Sequence, residues 1–164
     1  MAEVHIEPWA DGDRWLLDRA NTPEMTDHLG RPETIDELDQ RHAKYLRYWQ
    51  SGEARMFRIV RGDEPLGGIG WWSSRWGEVD VHETGWFVLP EAQGRGVASA
   101  AVQLVIGDAR SRAEHDLLIA CPEVGNVASN ALCARSGFTL RGTEELPFRG
   151  TTLHTNVWGL DLRG

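Results

Sequence analysis

A mixed α/β domain is the fold class this sequence predicts, on three observations. Its patterned segments run strand, helices, hairpin, strand, helix, strand, helix, strands, with no internal repeat and no low-complexity linker. A long strand pattern over residues 78–89 passes through a short glycine-containing turn directly into a helical pattern. The run Leu117-Leu118-Ile119-Ala120 is short and wholly apolar, as strands buried on both faces are. At 164 residues, 41% of them hydrophobic, the chain has the size of one domain covering 1–164 and enough apolar surface for one continuous core.

Residues 4–8 read as an opening strand, and residues 11–20, with Trp15, Leu16 and Arg19, as a short helix. Asn21, Pro23, Gly30 and Pro32 are turn and breaker residues of the following loop. Thr34 stands where it can cap a helix whose Ile35, Leu38, Tyr45, Leu46 and Trp49 fall at helical spacings. Residues 56–60 and 66–72 form a hairpin around a turn at 61–65. Gly67, Gly68 and Gly70 weaken its second strand and mark a bulge or the close approach of another backbone. A turn over 73–77 leads to the strand at 78–89, which ends at Pro90. The helix over 93–112 carries Val97, Ala101, Leu104, Val105 and Ala109 as one apolar stripe. Asn126 caps a further helix that stops at Gly137, since glycine readily takes the left-handed conformation that closes helices. Strands over 138–142 and 152–161 complete the chain.

Composition narrows the function. No apolar run approaches the roughly 20 residues needed to cross a bilayer, so no membrane association is expected. The N-terminus lacks the basic, apolar and small-residue regions of a signal peptide, and a cytoplasmic location is expected. Cys121 and Cys133 lack the paired ligands of a structural zinc site, and no metal is expected. A net charge of −8 opposes nucleic acid and suits a cationic partner. Trp71, Trp72 and Trp86, three of eight tryptophans, are either core residues or walls of an aromatic substrate pocket.

The segment from Phe87 to Ala98 carries the most chemistry. A strand that turns through Gln93-Gly94-Arg95-Gly96 into a helix directs unpaired N–H groups and the positive end of the helix dipole at one point, a cradle for an anion such as pyrophosphate. Gly94 and Gly96 would admit the phosphates and Arg95 add charge. Glycine turns before helices also occur where nothing binds. Neither a P-loop nor a dinucleotide fingerprint is present.

Gln93-Gly94-Arg95-Gly96-Val97-Ala98 resembles the Gln/Arg-x-x-Gly-x-Gly/Ala signature of the GNAT family of N-acetyltransferases. Upstream, Glu83-Thr84-Gly85-Trp86-Phe87-Val88-Leu89-Pro90 is similar to that family's central strand. Downstream, Asn126-Val127-Ala128-Ser129 and 132–138 resemble its Asn-x-x-Ser and Gly-Phe helix motif. Asn-Thr-Pro-Glu near the N-terminus looks most like the branch typified by ribosomal-protein N-terminal acetyltransferases. The resemblance implies a central, mostly antiparallel sheet with two splayed parallel strands and helices on both faces. It implies acetyl-CoA as cosubstrate and an amine as acceptor. Phe87, Val88 and Leu89 would hold the pantetheine arm, and Gln93, Gly94, Arg95, Gly96, Val97, Ala98 and Ser99 the pyrophosphate. Asn126 matches a cofactor-contacting asparagine and is equally a helix cap; Arg135 would reach an adenosine phosphate or remain a solvated helix residue. A homodimer is common in the family.

Acyl transfer needs a neutral amine, a polarised thioester and a proton for the leaving thiolate. Glu83 is the candidate base: it is the lone carboxylate on the alternating face Val79, Val81, Glu83, Gly85, Phe87, Leu89, where desolvation raises its pKa, provided that no bulge upsets the parity. Where many relatives carry a tyrosine acid, this chain has Cys133, which is either a proton donor or a small buried residue. Ser129 inherits the acid role by resemblance. His82 and His154 are lone strand histidines, expected at structural positions. A small-molecule resistance acetyltransferase and a non-catalytic acyl-CoA-binding module remain as alternatives.

Overall fold

The structure, a computed structural model, describes residues 3–148 and 150–164. In chain order the elements are β1 (Val4–Pro8), α1 (Arg14–Ala20), α2 (Ile35–Ser51), β2 (Ala54–Arg61), β3 (Glu64–Trp76), β4 (Val79–Val88), α3 (Val97–Arg112), β5 (Leu117–Ala120), α4 (Val127–Arg135), β6 (Thr139–Phe148) and β7 (Thr151–Asp161). The strands form one sheet in the order β1-β2-β3-β4-β5-β7-β6. All neighbours are antiparallel except β4 and β5, which are parallel and therefore need the crossover that α3 supplies.

The alternation of β2 shows how the layers divide. Phe57 and Ile59 pack with Val97, Ala101, Val105 and Ala109 of α3, and with Leu132 and Cys133 of α4. Ala54 and Met56 point the other way, into a cluster with Leu16 and Leu17 of α1 and Leu38 of α2. Helices thus cover both faces, as period-two burial requires. α2 begins with a reciprocal capping box: Thr34 Oγ1 accepts from the Glu37 N–H (3.1 Å) and the Glu37 carboxylate accepts from the Thr34 N–H (2.9 Å). Among the described residues no helix is long and apolar enough to cross a membrane.

Five expectations shift. Residues 11–13 form a separate 3-10 turn, tied by the Ala10 N–H to Asp13 Oδ2 (2.8 Å), before α1 begins. β3 continues through the turn expected at 73–77, with Ser73 to Trp76 pairing with Val79 to His82. α3 begins at Val97 instead of 93, because Gly94 and Gly96 hold φ values of 75° and 76°, outside the helical region. Leu104 leaves the expected stripe for solvent at 39% exposure, and Val102 and Ile106 fill the core instead. β6 extends to Phe148 as a largely polar ladder with β7, which hydrophobicity could not reveal.

Both readings of the β3 glycines are realised. Ile59 pairs with Gly67 and Val60 with Pro65, leaving Leu66 as the extra residue of a bulge. At Gly67 a Cβ would lie 2.1 Å from the Phe87 carbonyl oxygen. Gly67→Ala should therefore destabilise the fold by about 1–3 kcal/mol, read as a lower urea midpoint. Gly107, inside α3 with no atom within 4 Å of where a Cβ would stand, should respond oppositely: Gly107→Ala should raise stability by about 0.5–1 kcal/mol in the same titration.

Candidate active site

The site is built where two parallel strands part. β4 pairs with β5 only through His82–Leu118, Glu83–Ile119 and Thr84–Ala120, while β4 itself continues to Val88. Beyond Ala120 the chain stays with β7: the Asn156 N–H donates to Pro122 O (2.9 Å), the Val124 N–H to His154 O (2.9 Å), and Glu123 bridges to Thr155. A wedge opens along the main chain of Gly85, Trp86, Phe87 and Val88. Its apex is anchored by Thr84 Oγ1, which donates to Gly70 O (2.8 Å). His82 Nε2 accepts from the N–H groups of Glu114 and His115 (3.1 and 3.2 Å), so the imidazole that ties the connection between α3 and β5 to β4 is unprotonated at that nitrogen. Burial, with His115 beside it, holds the His82 pKa below its usual value.

At the wide end of the wedge lies the cradle. The first intrahelical bond of α3 runs from the Ala100 N–H to Gly96 O (3.1 Å), which leaves the N–H groups of Val97, Ala98 and Ser99 outside the helical ladder. Gly96 is the N-cap and no side chain caps the helix. A Cβ at Gly94 or Gly96 would meet nothing within 4 Å, so both glycines border open space. Gln93 braces the turn by donating from Nε2 to Val88 O (2.9 Å), and Arg95 is exposed. Arg135 of α4 reaches Ser99, Nε to Oγ 3.4 Å, which brings a cation to the cradle rim. Asn126 caps α4, its Oδ1 accepting from the Ser129 N–H (3.2 Å); Ser129 is half-buried in the first turn. The unpaired amides, open glycines and rim arginine fit a pyrophosphate.

At the narrow end stands Glu83. The β3–β4 ladder is continuous from Val79 to Val88, so the parity of β4 holds and Glu83 shares a face with Val81 and Gly85. Burial raises the Glu83 pKa; the hydrogen bond from Ser74 opposes the rise, and Glu144 on β6 adds to it. Ser74 Oγ donates to Glu83 Oε1 at 3.0 Å. Burial, then the charges of Glu83 and Glu144, push the Cys121 thiol far above the usual range. The Trp72 indole lies over Gly85, with Cη2 3.1 Å from where a Cβ would be.

The tryptophans divide. Trp72 is on the Glu83 face. Trp71 and Trp86 point to the α3 face, where Trp71 is 6% exposed, donates from Nε1 to Asp108 Oδ2 (2.8 Å) and packs in the core, and Trp86 packs against that core. Trp71 is thus a core residue and Trp86 a half-buried one, both on the face of the sheet opposite Glu83. Cys133 is fully buried and burial pushes its thiol up to about 12, the environment of a packing residue and not of a proton donor. His82 is buried, and His154 is exposed, 3.3 Å from Glu145. Ser74, Cys121 and Glu144 escaped the sequence reading. The alternation Trp72, Ser74, Trp76 was the available signal for Ser74; Glu144 had none, because its strand was expected to end at 142.

A pH dependence follows from the raised Glu83 pKa. The folded chain holds this proton more tightly than the unfolded chain, so the carboxyl contributes stability below its ordinary value of 4.5 and loses it as pH rises through the folded value. Glu83→Gln should match the parent in thermal stability at pH 4 and exceed it increasingly towards pH 8.

A family model described as "Acetyltransferase (GNAT) domain" matches residues 3–139. The ribosomal-protein-serine acetyltransferase of Escherichia coli (strain K12) is 29% identical over 148 residues, covering 87% of this chain and 78% of that protein. A solved RimL ribosomal L7/L12 α-N-protein acetyltransferase in complex with coenzyme A superposes with TM-score 0.79 at 17% identity, over 96% of this chain and 93% of that one. The microcin C7 self-immunity acetyltransferase MccE, solved with acetyl-CoA and AMP, gives TM-score 0.80 at 16% identity, over 97% and 92%. With the parted strands, the glycine cradle and a family match across most of its length, this chain belongs to the GNAT acetyltransferase family.

Proposed function

We propose that the chain transfers the acetyl group of acetyl-CoA to a primary amine by direct attack within a ternary complex. The observation that carries this reading is one continuous strand, β4, which leads from a half-buried carboxylate with raised pKa, Glu83, to the unpaired amides of Val97, Ala98 and Ser99. The main chain of Phe87, Val88 and Leu89 would line the pantetheine arm. Residues 93–99 would bind the pyrophosphate, with Arg135 at the rim and Asn126 facing from α4. Acetyl-CoA supplies an activated thioester. Glu83 takes a proton from the acceptor ammonium, and burial suits it to that task by raising its pKa towards the working range. A main-chain N–H of the unpaired stretch near Val88 polarises the thioester carbonyl. As the N–C bond forms and the C–S bond breaks, the nitrogen gives its second proton to water, the Ser129 hydroxyl hands one to the departing sulfur and is reprotonated from water, and Glu83 releases its proton to solvent as the products leave. The raised thiols of Cys121 and Cys133 favour direct transfer over an acyl-cysteine route, since a protonated thiol is a poor nucleophile.

The acceptor class is the α-amine of a protein N-terminus, on the support of the 29% identical relative and its named activity. Such an amine, with pKa about 7.7–8.0, asks less of its base than a lysine at about 10.4. A small cationic amine is a second reading favoured by the loop between α1 and α2. His28 on that loop lies 3.8 Å from Glu123, and Gly30 packs on Thr151, so the loop spans one side of the cleft.

Thermal unfolding with acetyl-CoA at 100 times its dissociation constant should report about 2.7 kcal/mol of stabilisation. Gly96→Val should lose that shift while still unfolding cooperatively, because its side chain enters the cradle and a β-branched residue strains the φ of 76° that shapes it. Absence of any shift in the folded parent would end the acetyl-CoA reading. Turnover of serine-initiated peptides above small polyamines would support the N-terminal acceptor, and the reverse would favour the second reading.

A further inference from the structure

Glu83 is paired on both sides within the sheet, but its carboxylate takes its hydrogen bond from outside the β2–β3 pairing. Its hydrogen-bond partner, Ser74, lies beyond the last pairing of β2 with β3, Ala54 to Trp72, on a two-stranded arm made of the ends of β3 and β4. In that ladder Trp72 pairs with Glu83 and Ser74 with Val81, so Ser74 is the diagonal neighbour of Glu83 on the same face. The tip of the arm is seated by Trp76, whose Cζ2 is 3.6 Å from the Cβ position of Gly142 on β6, and which packs with Val81, Ile119 and Val157. Ser74 is therefore presented at a fixed place, and its Oγ donates to Oε1 of Glu83 at 3.0 Å. Among the described residues Oε2 accepts no hydrogen bond, and no arginine, lysine or histidine pairs with this carboxylate. The groups facing it are Ser74 from β3, Cys121 just after β5 and Glu144 from β6; Arg141 on β6 is turned over Gly159.

We propose that Ser74 is the positioning residue of the acetyl-transfer site: it fixes Oε1 of Glu83 so that Oε2 faces the acceptor amine, and it sets the pH at which the carboxylate becomes available. This assignment rests on Glu83 being the base. A hydroxyl donating to a carboxylate favours the charged form, whereas burial and Glu144 disfavour it. Removing the hydroxyl leaves only the opposing influences.

The test is the pH dependence of kcat/KM for the intact protein with acetyl-CoA and a responsive amine. Ser74→Ala should move the acid limb upward by about one pH unit, the size of one charged hydrogen bond partly lost. Below the limb kcat should fall about tenfold, with KM for acetyl-CoA unchanged. Ser74→Thr, which keeps the hydroxyl, should restore the parent profile, and Ser74→Val, which keeps only the shape of threonine, should behave like Ser74→Ala. Unmoved limbs in Ser74→Ala and Ser74→Val would overturn the assignment. Glu83→Gln separates the two levels: loss of the limb there, with Ser74→Ala unmoved, rejects the role of Ser74 alone. A limb retained in Glu83→Gln rejects Glu83 as the base, and this inference with it.

Discussion

Everything at this site depends on one shortened strand. β5 is four residues long, and Cys121-Pro122 ends its pairing with β4. Proline has no N–H with which to continue a ladder. The segment that follows gives its carbonyl and amide groups to β7 instead, so β4 loses a partner along the stretch that leads to α3. An unpaired strand edge inside a domain is costly unless something satisfies it. Here that edge faces a wedge lined by main-chain groups, the arrangement that an extended, amide-bearing ligand arm would complete.

The two ends of the wedge are held by different forces. The cradle needs backbone conformation: two glycines at positive φ turn the chain so that the first amides of α3 converge. The carboxylate end needs packing and desolvation. Trp72 over Gly85, Trp76 over Gly142 and the core of Val81, Ile119 and Val157 surround Glu83 with apolar surface. Elsewhere the chain's carboxylates are commonly matched by arginines, as in Glu7 with Arg58 and Asp108 with Arg55. Glu83 has only a hydroxyl among the described residues, and that hydrogen bond lowers its proton affinity less than burial raises it.

Tertiary packing separates candidate residues that the sequence sets side by side. Trp71 and Trp72 are adjacent in sequence and go to opposite faces of β3; one is core under α3 and the other borders the wedge. Cys133 stands at a motif position that other family members use for an acid, yet it is sealed in the core between α3, α4 and the sheet. Ser129, one helical turn earlier, is half-buried.

Local rules made much of this protein legible. Periodicity and turn residues marked β1 and β5 to the residue, the cap at Thr34 marked α2, and the glycine turn before α3 marked the cradle, because each depends on near neighbours in the chain. The face of Glu83 followed from strand parity, which required only that β4 carry no bulge. The sequence could not say where β3 ends, that β6 continues to Phe148, or that Ser74, Cys121 and Glu144 converge on Glu83. Those facts arise from cross-strand register and from the curl that brings Trp76 onto Gly142. The sequence by itself thus determined the order and type of most elements, the glycine turn before α3 and the face of β4 on which Glu83 lies. Only the tertiary structure decided which side chains surround that carboxylate, because contacts between distant strands are set by packing that no local pattern encodes.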